Sequence, residues 1–183
     1  MNLKVIFKTS NMSSIALSDV PQDYVNREFE IWLLTHAYFH RRDYLITETE
    51  ILSETPQEIL ESFPTRKHIL KICWDFVHSE LLDNGHGGNF EIKATITDEG
   101  IFQFRKHLGP LYSKKDDGRF VDKILKSTTG DDSIRKQFKE FFKYNKNSSR
   151  DEFDSKLKDL MWGLGKEGII FLAKLVFVAL SGG

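Results

Sequence analysis

The feature that most constrains the fold is a proline, Pro64, that lies between two segments with apolar residues at helical spacing. Residues 56–63 are predicted to form a short helix, because Thr55 and Glu58 have the spacing of a capping box in front of it. A second helix is predicted over residues 65–83. Because proline ends a helix at or before the preceding residue, the sequence predicts two helices joined by a tight turn.

A turn and a strand are predicted after the second helix. Residues 84–89, Asn-Gly-His-Gly-Gly-Asn, are too rich in glycine to continue a helix. In residues 90–96 apolar and polar side chains alternate, which is typical of a half-buried strand. Thr97 then begins another short helix, which the Gly-Pro pair at 109–110 is expected to end.

A helix and a short strand are also predicted ahead of the helix pair. Apolar residues recur at helical spacing over about residues 23–42, and residues 44–46 have the composition of a strand. Thr47 and Glu50 have the spacing of another capping box, which predicts a further helix start.

This order of elements resembles the winged helix-turn-helix superfamily. The segment 96–104, Ile-Thr-Asp-Glu-Gly-Ile-Phe-Gln-Phe, is similar to the Leu-Thr-x-x-Gly signature that follows the last wing strand in many winged-helix regulators, with Ile96 in place of Leu. The resemblance covers about residues 24–108. It implies a mainly α fold with a small β wing, and either a DNA-binding regulator or an adaptor subunit that binds other proteins.

The whole chain is predicted to have three parts. Residues 1–22 form an N-terminal strand and an irregular segment, residues 23–109 a winged-helix-like domain, and residues 110–183 a helical C-terminal region. In the C-terminal region, Ser149 and Glu152 have the spacing of a capping box at the start of a long apolar stripe. With 40% hydrophobic residues, the chain has enough apolar surface for a core.

The charge is distributed unevenly between the two halves. From Asp23 to Gly100 the net charge is −8, whereas from Ile101 to Glu167 it is +5. A polyanion would be attracted to the second half, where Arg135, Lys136, Lys139 and Lys143 are expected to face water on one helix. Alternatively, two oppositely charged halves attract one another.

A nucleic-acid site is predicted at the start of the helix over 65–83, because the N-terminal end of the second helix of a helix–turn–helix enters the major groove. The candidate DNA-binding residues are Arg66, Lys67, His68 and Lys71 at that end, with His86 and Asn89 in the wing-like turn. The same helix also carries acidic residues, and residues 84–89 contain no Arg or Lys. These two features favour the alternative, a non-enzymatic adaptor.

No catalytic residue, metal or cofactor is predicted, and the chain is not expected to be an enzyme. His36 and His40 are one helical turn apart, but the sequence indicates no third ligand beside them. Cys73 lies on an apolar stripe, which predicts an inert core thiol. Residues 163–166, Gly-Leu-Gly-Lys, lack the spacing of a phosphate-binding loop.

The C-terminal segment 169–180 is apolar at eleven of its twelve positions, with Lys174 the exception. It is shorter than the roughly 20 residues that a membrane span needs, and membrane docking is not expected. The sequence favours a buried helix, with a strand as the alternative because of the β-branched and Phe content. We expect it to form the interface of a homodimer or a hetero-complex, which would bury Ile170, Phe171, Leu175, Phe177 and Val178. The chain starts without a long apolar segment, which predicts a cytoplasmic protein.

Overall fold

The computed structural model describes residues 22–40, 46–63, 65–85 and 92–182. Within these residues the chain is mainly helical, with nine helices and three short strands, which confirms the predicted combination of helices with a small sheet. Its residues group into two compact units, whose described parts lie within residues 22–108 and 109–182.

The first unit combines five helices with all three strands in its described part. Its elements are α1 (Gln22–His40), β1 (Ile46–Thr47), α2 (Glu48–Glu54), α3 (Gln57–Glu61), α4 (Arg66–His78), β2 (Leu82–Asp83), β3 (Lys93–Ile96) and α5 (Asp98–His107). The apolar stripe of α1 forms the centre of its core, where Phe29 and Trp32 are completely or almost completely buried. Helix α1 packs mainly against α5, and also against β3 and α3.

The sheet is antiparallel, with β3 in the middle. Ala94 of β3 lies opposite Ile46 of β1, and Ile96 lies opposite Leu82 of β2. Ala94 and Ile96 of β3 are buried, while Lys93 and Thr95 of the same strand are half-buried, as the alternation of residue types predicts. The strand predicted over residues 90–96 is confirmed over residues 93–96, while Ile92 is not part of it and residues 90–91 lie outside the described residues. Strands β2 and β3 form an antiparallel hairpin, and residues 86–91 of its connection lie outside the described residues.

The segment that resembles the winged-helix signature connects the sheet to α5. Thr97 caps α5, because its hydroxyl oxygen accepts a hydrogen bond from the Gly100 amide at 3.0 Å. The same hydroxyl donates to the Glu80 carbonyl in the turn that precedes β2. A Cβ on Gly100 would collide with the carbonyl of Leu81 and lie 2.7 Å from Cγ1 of Ile96. The close approach of two chain segments therefore requires glycine at this position.

Two predicted helix boundaries in this unit are wrong. Thr55 does not form a capping box with Glu58, because Pro56 occupies the N-cap of α3 and the Thr55 hydroxyl donates instead to a carbonyl of α2. Helix α4 ends earlier than residue 83, because Glu80 adopts a left-handed conformation (φ 60°) that turns the chain into β2.

The second unit is helical throughout its described part. Its elements are α6 (Gly109–Ser113), α7 (Gly118–Ser127), α8 (Asp132–Tyr144) and α9 (Arg150–Leu180). Ser149 and Glu152 form the predicted capping box at the start of α9, with both reciprocal hydrogen bonds present. The Gly-Pro pair at 109–110 ends α5 as predicted but also begins α6, since proline is tolerated in the first turn of a helix.

Helix α9 consists of two helical segments joined by a kink at Gly165. This glycine has φ 60° and ψ −147°, a backbone conformation that is essentially restricted to glycine. The apolar segment 169–180 is helical, as the sequence favours, and the alternative of a strand is wrong. Within the described ranges, no helix has the length and hydropathy needed to cross a membrane.

Candidate nucleic-acid interface

Helix α4 is amphipathic, and its buried side fixes the orientation of the predicted interface. Ile69, Ile72, Cys73 and Phe76 are buried at helical spacing against the rest of the first unit. Burial, and to a smaller extent the charge of Glu48, raise the pKa of the Cys73 thiol to about 12. This buried thiol is protonated at neutral pH, which agrees with the prediction of an inert core residue.

The structure places three of the predicted DNA-binding side chains together on the exposed side of α4. Lys67 and His68 lie in its first turn, and Lys71 lies one turn further on. Thr65 is the N-cap, and its hydroxyl oxygen lies 3.3 Å from Nδ1 of His68. Arg66 is the first residue of α4, and its side chain is outside the described part of the structure.

The second half of α4 has the opposite charge. Lys71 Nζ lies 3.2 Å from Oδ2 of Asp75, and both side chains are exposed, so this ion pair stabilises the helix little and leaves Lys71 able to exchange partners. The negative charge of Asp75 also acts on Glu30 of α1. Burial raises the pKa of the Glu30 carboxyl most, the charge of Arg27 lowers it, and the charge of Asp75 raises it. The exposed charged side chains of α4 are therefore basic at its start and acidic at its middle.

Only Asn84 and Gly85 of the wing-like turn are described. His86 and Asn89, which the sequence predicts as further contacts, lie outside the described residues. Asn84, directly after β2, accepts a hydrogen bond from the Lys93 amide at 2.7 Å with its side-chain oxygen. This bond joins the two described ends of the hairpin.

The basic side of α8 has one member fewer than the sequence predicts. Lys136, Lys139 and Lys143 are exposed, and Lys139 pairs with Asp122 of α7 at 2.9 Å. Arg135 is half-buried instead of facing water, because its guanidinium donates to the Leu125 carbonyl at 3.0 Å and to further carbonyls that follow α7. The guanidinium thus supplies hydrogen-bond donors at the C-terminal end of α7, where backbone carbonyls have no partner within the helix.

The residues predicted to form a protein interface lie in the C-terminal half of α9. Four of them are at most 5% exposed: Phe171, Leu175, Phe177 and Val178. Ile170 is half-buried. Phe171 packs on Phe138 of α8 with ring centroids 5.0 Å apart. The chain itself thus covers most of the apolar surface for which we expected a partner.

The structure also brings together a side-chain cluster that the sequence indicates only in part. His36 and His40 at the end of α1 are joined by Glu50 in the first turn of α2. The spacing of the two histidines was visible in the sequence, whereas the contribution of Glu50 depends on how α2 packs.

The chain matches no protein-family model, no curated protein and no solved structure. The geometry of its own residues therefore carries the functional assignment.

Proposed function

We propose that the first unit is a winged helix-turn-helix that binds duplex DNA through the N-terminal end of α4. The observation that carries the proposal is the exposure of Lys67, His68 and Lys71 on that end, on the side opposite the buried stripe. The element order around them, with an antiparallel hairpin after α4 and a strand ahead of α2, agrees with the winged-helix resemblance.

The chemistry of this end suits a polyanion. Lysine side chains neutralise phosphates and release counterions, and lysine or histidine can also donate hydrogen bonds to base edges in the major groove. The first amides of α4 point out of the helix, and the helix dipole is positive there, which favours a nearby phosphate. We expect Arg66 and Lys67 to make phosphate or base contacts and Lys71 to leave Asp75 for a phosphate.

A protein-binding adaptor is the second candidate, and the charge of the first unit favours it. Residues 22–108 carry a net charge of −6, which opposes the approach of DNA outside the start of α4. The affinity of an adaptor for its protein partner would depend little on salt between about 50 and 200 mM, the range over which DNA binding through phosphate contacts weakens.

The test is DNA binding measured by fluorescence anisotropy with a labelled duplex of mixed sequence, at salt concentrations from about 50 to 200 mM. We compare the wild type with the double variant Arg66→Ala/Lys67→Ala. The matched control is Lys123→Ala/Lys126→Ala, which removes two exposed cations from α7. We expect the first variant to lower the slope of log affinity against log salt by about 1.8, which corresponds to two lost phosphate contacts.

The outcomes separate the two functions. Loss of binding in Arg66→Ala/Lys67→Ala with an unchanged control supports the proposed site. If the wild type does not bind duplex DNA at about 50 mM salt, the DNA-binding function is rejected. In that case, a protein that is retained on affinity purification from the native host supports the adaptor. Equal weakening in both variants would show a general attraction between cations and DNA and would contradict a specific site on α4.

A further inference from the structure

We propose that His36, His40 and Glu50 bind one zinc ion in the first unit. One ligand atom from each residue can be chosen so that all three lie within 4.8 Å of one another. The site is separate from the basic end of α4, and the proposal does not depend on DNA binding.

The backbone places the three side chains from two directions. His36 and His40 are four residues apart on α1, so that they lie on the same face of the helix one turn apart. Glu50 is the third residue of α2, whose start is fixed by the hydrogen bond from the Glu50 amide to the Thr47 hydroxyl oxygen at 3.1 Å. The predicted capping box is therefore half formed. The Glu50 carboxylate faces His40 and not the N-cap.

The hydrogen bond of His40 determines which nitrogen faces the glutamate. Nδ1 of His40 lies 3.0 Å from the His36 carbonyl oxygen, and because a carbonyl only accepts, Nδ1 carries the proton. Nε2 of His40 lies 3.9 Å from Oε1 of Glu50, a distance too long for a hydrogen bond. A neutral Nε2 and a carboxylate oxygen both present lone pairs, so their approach is favourable when a cation lies between them. Backbone bonds of this kind orient ligating histidines in known metal sites.

Of the three proposed ligands, His36 is buried and held by its neighbours, whereas His40 and Glu50 are partly exposed to solvent. His36 is only 3% exposed, and its ring stacks on Trp32 with a centroid distance of 4.9 Å and lies 3.9 Å from the ring of His40. The side chains of His40 and Glu50 are 27% and 22% exposed, which leaves a path for an ion. A low-dielectric wall on one side strengthens the attraction between the ion and its ligands.

Two imidazole nitrogens and one carboxylate oxygen form a ligand set that suits zinc, with a fourth position for water or another donor. Ligand atoms of a tetrahedral zinc site lie about 3.3 Å apart, given bond lengths of about 2.0–2.2 Å. Nε2 of His40 and Oε1 of Glu50 are 3.9 Å apart, so that binding requires side-chain rotations that bring these two ligands closer together. A bound ion would join the end of α1 to the start of α2.

The test begins with protein freed of metal by a chelator and dialysed. Zinc binding is measured by competition with a chromophoric chelator, and Co²⁺ replaces zinc to report tetrahedral geometry through its visible absorption. The variants are His40→Gln and Glu50→Gln, which change partly exposed side chains and preserve their size. The controls are His68→Gln and Glu99→Gln, exposed residues outside the cluster. Far-UV circular dichroism verifies that every variant is folded.

We expect one zinc ion per chain, and an affinity reduced at least 10-fold in His40→Gln and Glu50→Gln, since even outer-shell changes cost about 10–100-fold. The control variants should bind like the wild type. The proposal is overturned if the wild type retains no zinc at micromolar free metal, or if both cluster variants bind it as tightly as the wild type.

Discussion

Gly100 shows how one residue can be required by packing between segments that are distant along the chain. Its backbone passes so close to the Leu81 carbonyl that no side chain fits, while the neighbouring Thr97 joins the same turn through its hydroxyl. Thr97 and Gly100 therefore act together: one caps α5 and the other lets α5 begin directly against the α4–β2 turn. The spacing of the signature follows from this geometry.

Replacing Gly100 by Ala is expected to destabilise the first unit by about 1–3 kcal/mol, because the new methyl group overpacks against backbone that cannot move aside. The free energy of unfolding is measured by urea denaturation. The matched control is Gly163→Ala in α9, where a Cβ meets nothing within 4 Å. There the substitution should stabilise the helix by about 0.5–1 kcal/mol, through helix propensity. A Gly100→Ala protein as stable as the wild type would contradict the close approach.

At the scale of the elements, the C-terminal end of α7 receives hydrogen bonds from a side chain of the next helix. Arg135 of α8 donates to carbonyls at the end of α7 and also pairs with Asp132. The chain between the two helices is short, and Gly130 in it has φ 154°, where a Cβ would lie 2.5 Å from Cδ2 of Phe171. One side chain thus holds the α7–α8 connection in place.

We expect Arg135→Gln to destabilise the second unit by about 1.5–3 kcal/mol, the range for hydrogen bonds from charged groups. Arg135→Lys should recover only part of this loss, because an ammonium cannot reproduce the fork of the guanidinium. Thermal and urea unfolding followed by circular dichroism measure the effect. Lys136→Gln, at the neighbouring exposed position, should change the stability by less than about 0.5 kcal/mol. If Arg135→Gln behaves like that control, the carbonyl contacts do not stabilise the protein.

At the scale of the whole molecule, the apolar C-terminal segment, which was expected to be an interface, is covered mainly by helices of the same chain. Helices α6, α7 and α8 all pack on α9, and buried residues of its second half include Leu172 and Val176. A segment this apolar needs cover on most sides, and the chain supplies it. Association through Ile170 and its neighbours stays a prediction for which little uncovered apolar surface is left.

Deleting residues 168–183 is expected to unfold the second unit, because it removes side chains that are almost completely buried. Circular dichroism should show a loss of helix larger than the deleted segment, and limited proteolysis should cut within α7 and α8. Deletion of residues 181–183 alone is the control and should leave both measurements unchanged. A shortened chain that stays helical and changes from dimer to monomer in light scattering would show that the segment is an interface.

Local interactions explain what could be predicted from the sequence. The long helices appear as apolar stripes with a period of 3.6 residues, and the starts at Thr47, Thr97 and Ser149 depend on contacts three residues apart. The strand over 93–96 follows from its alternation. These signals arise within a few residues, so they do not depend on the rest of the fold.

The remaining features were decided by tertiary structure, because they join residues far apart in the chain. The Glu50 carboxylate reaches His40 across ten residues, and Arg135 reaches Leu125 across the same separation. The hydroxyl of Thr97 reaches the Glu80 carbonyl across seventeen residues. Whether a basic or apolar side chain faces water or a neighbouring helix depends on the surface that packs beside it. Helical periodicity alone carries no information about that neighbour.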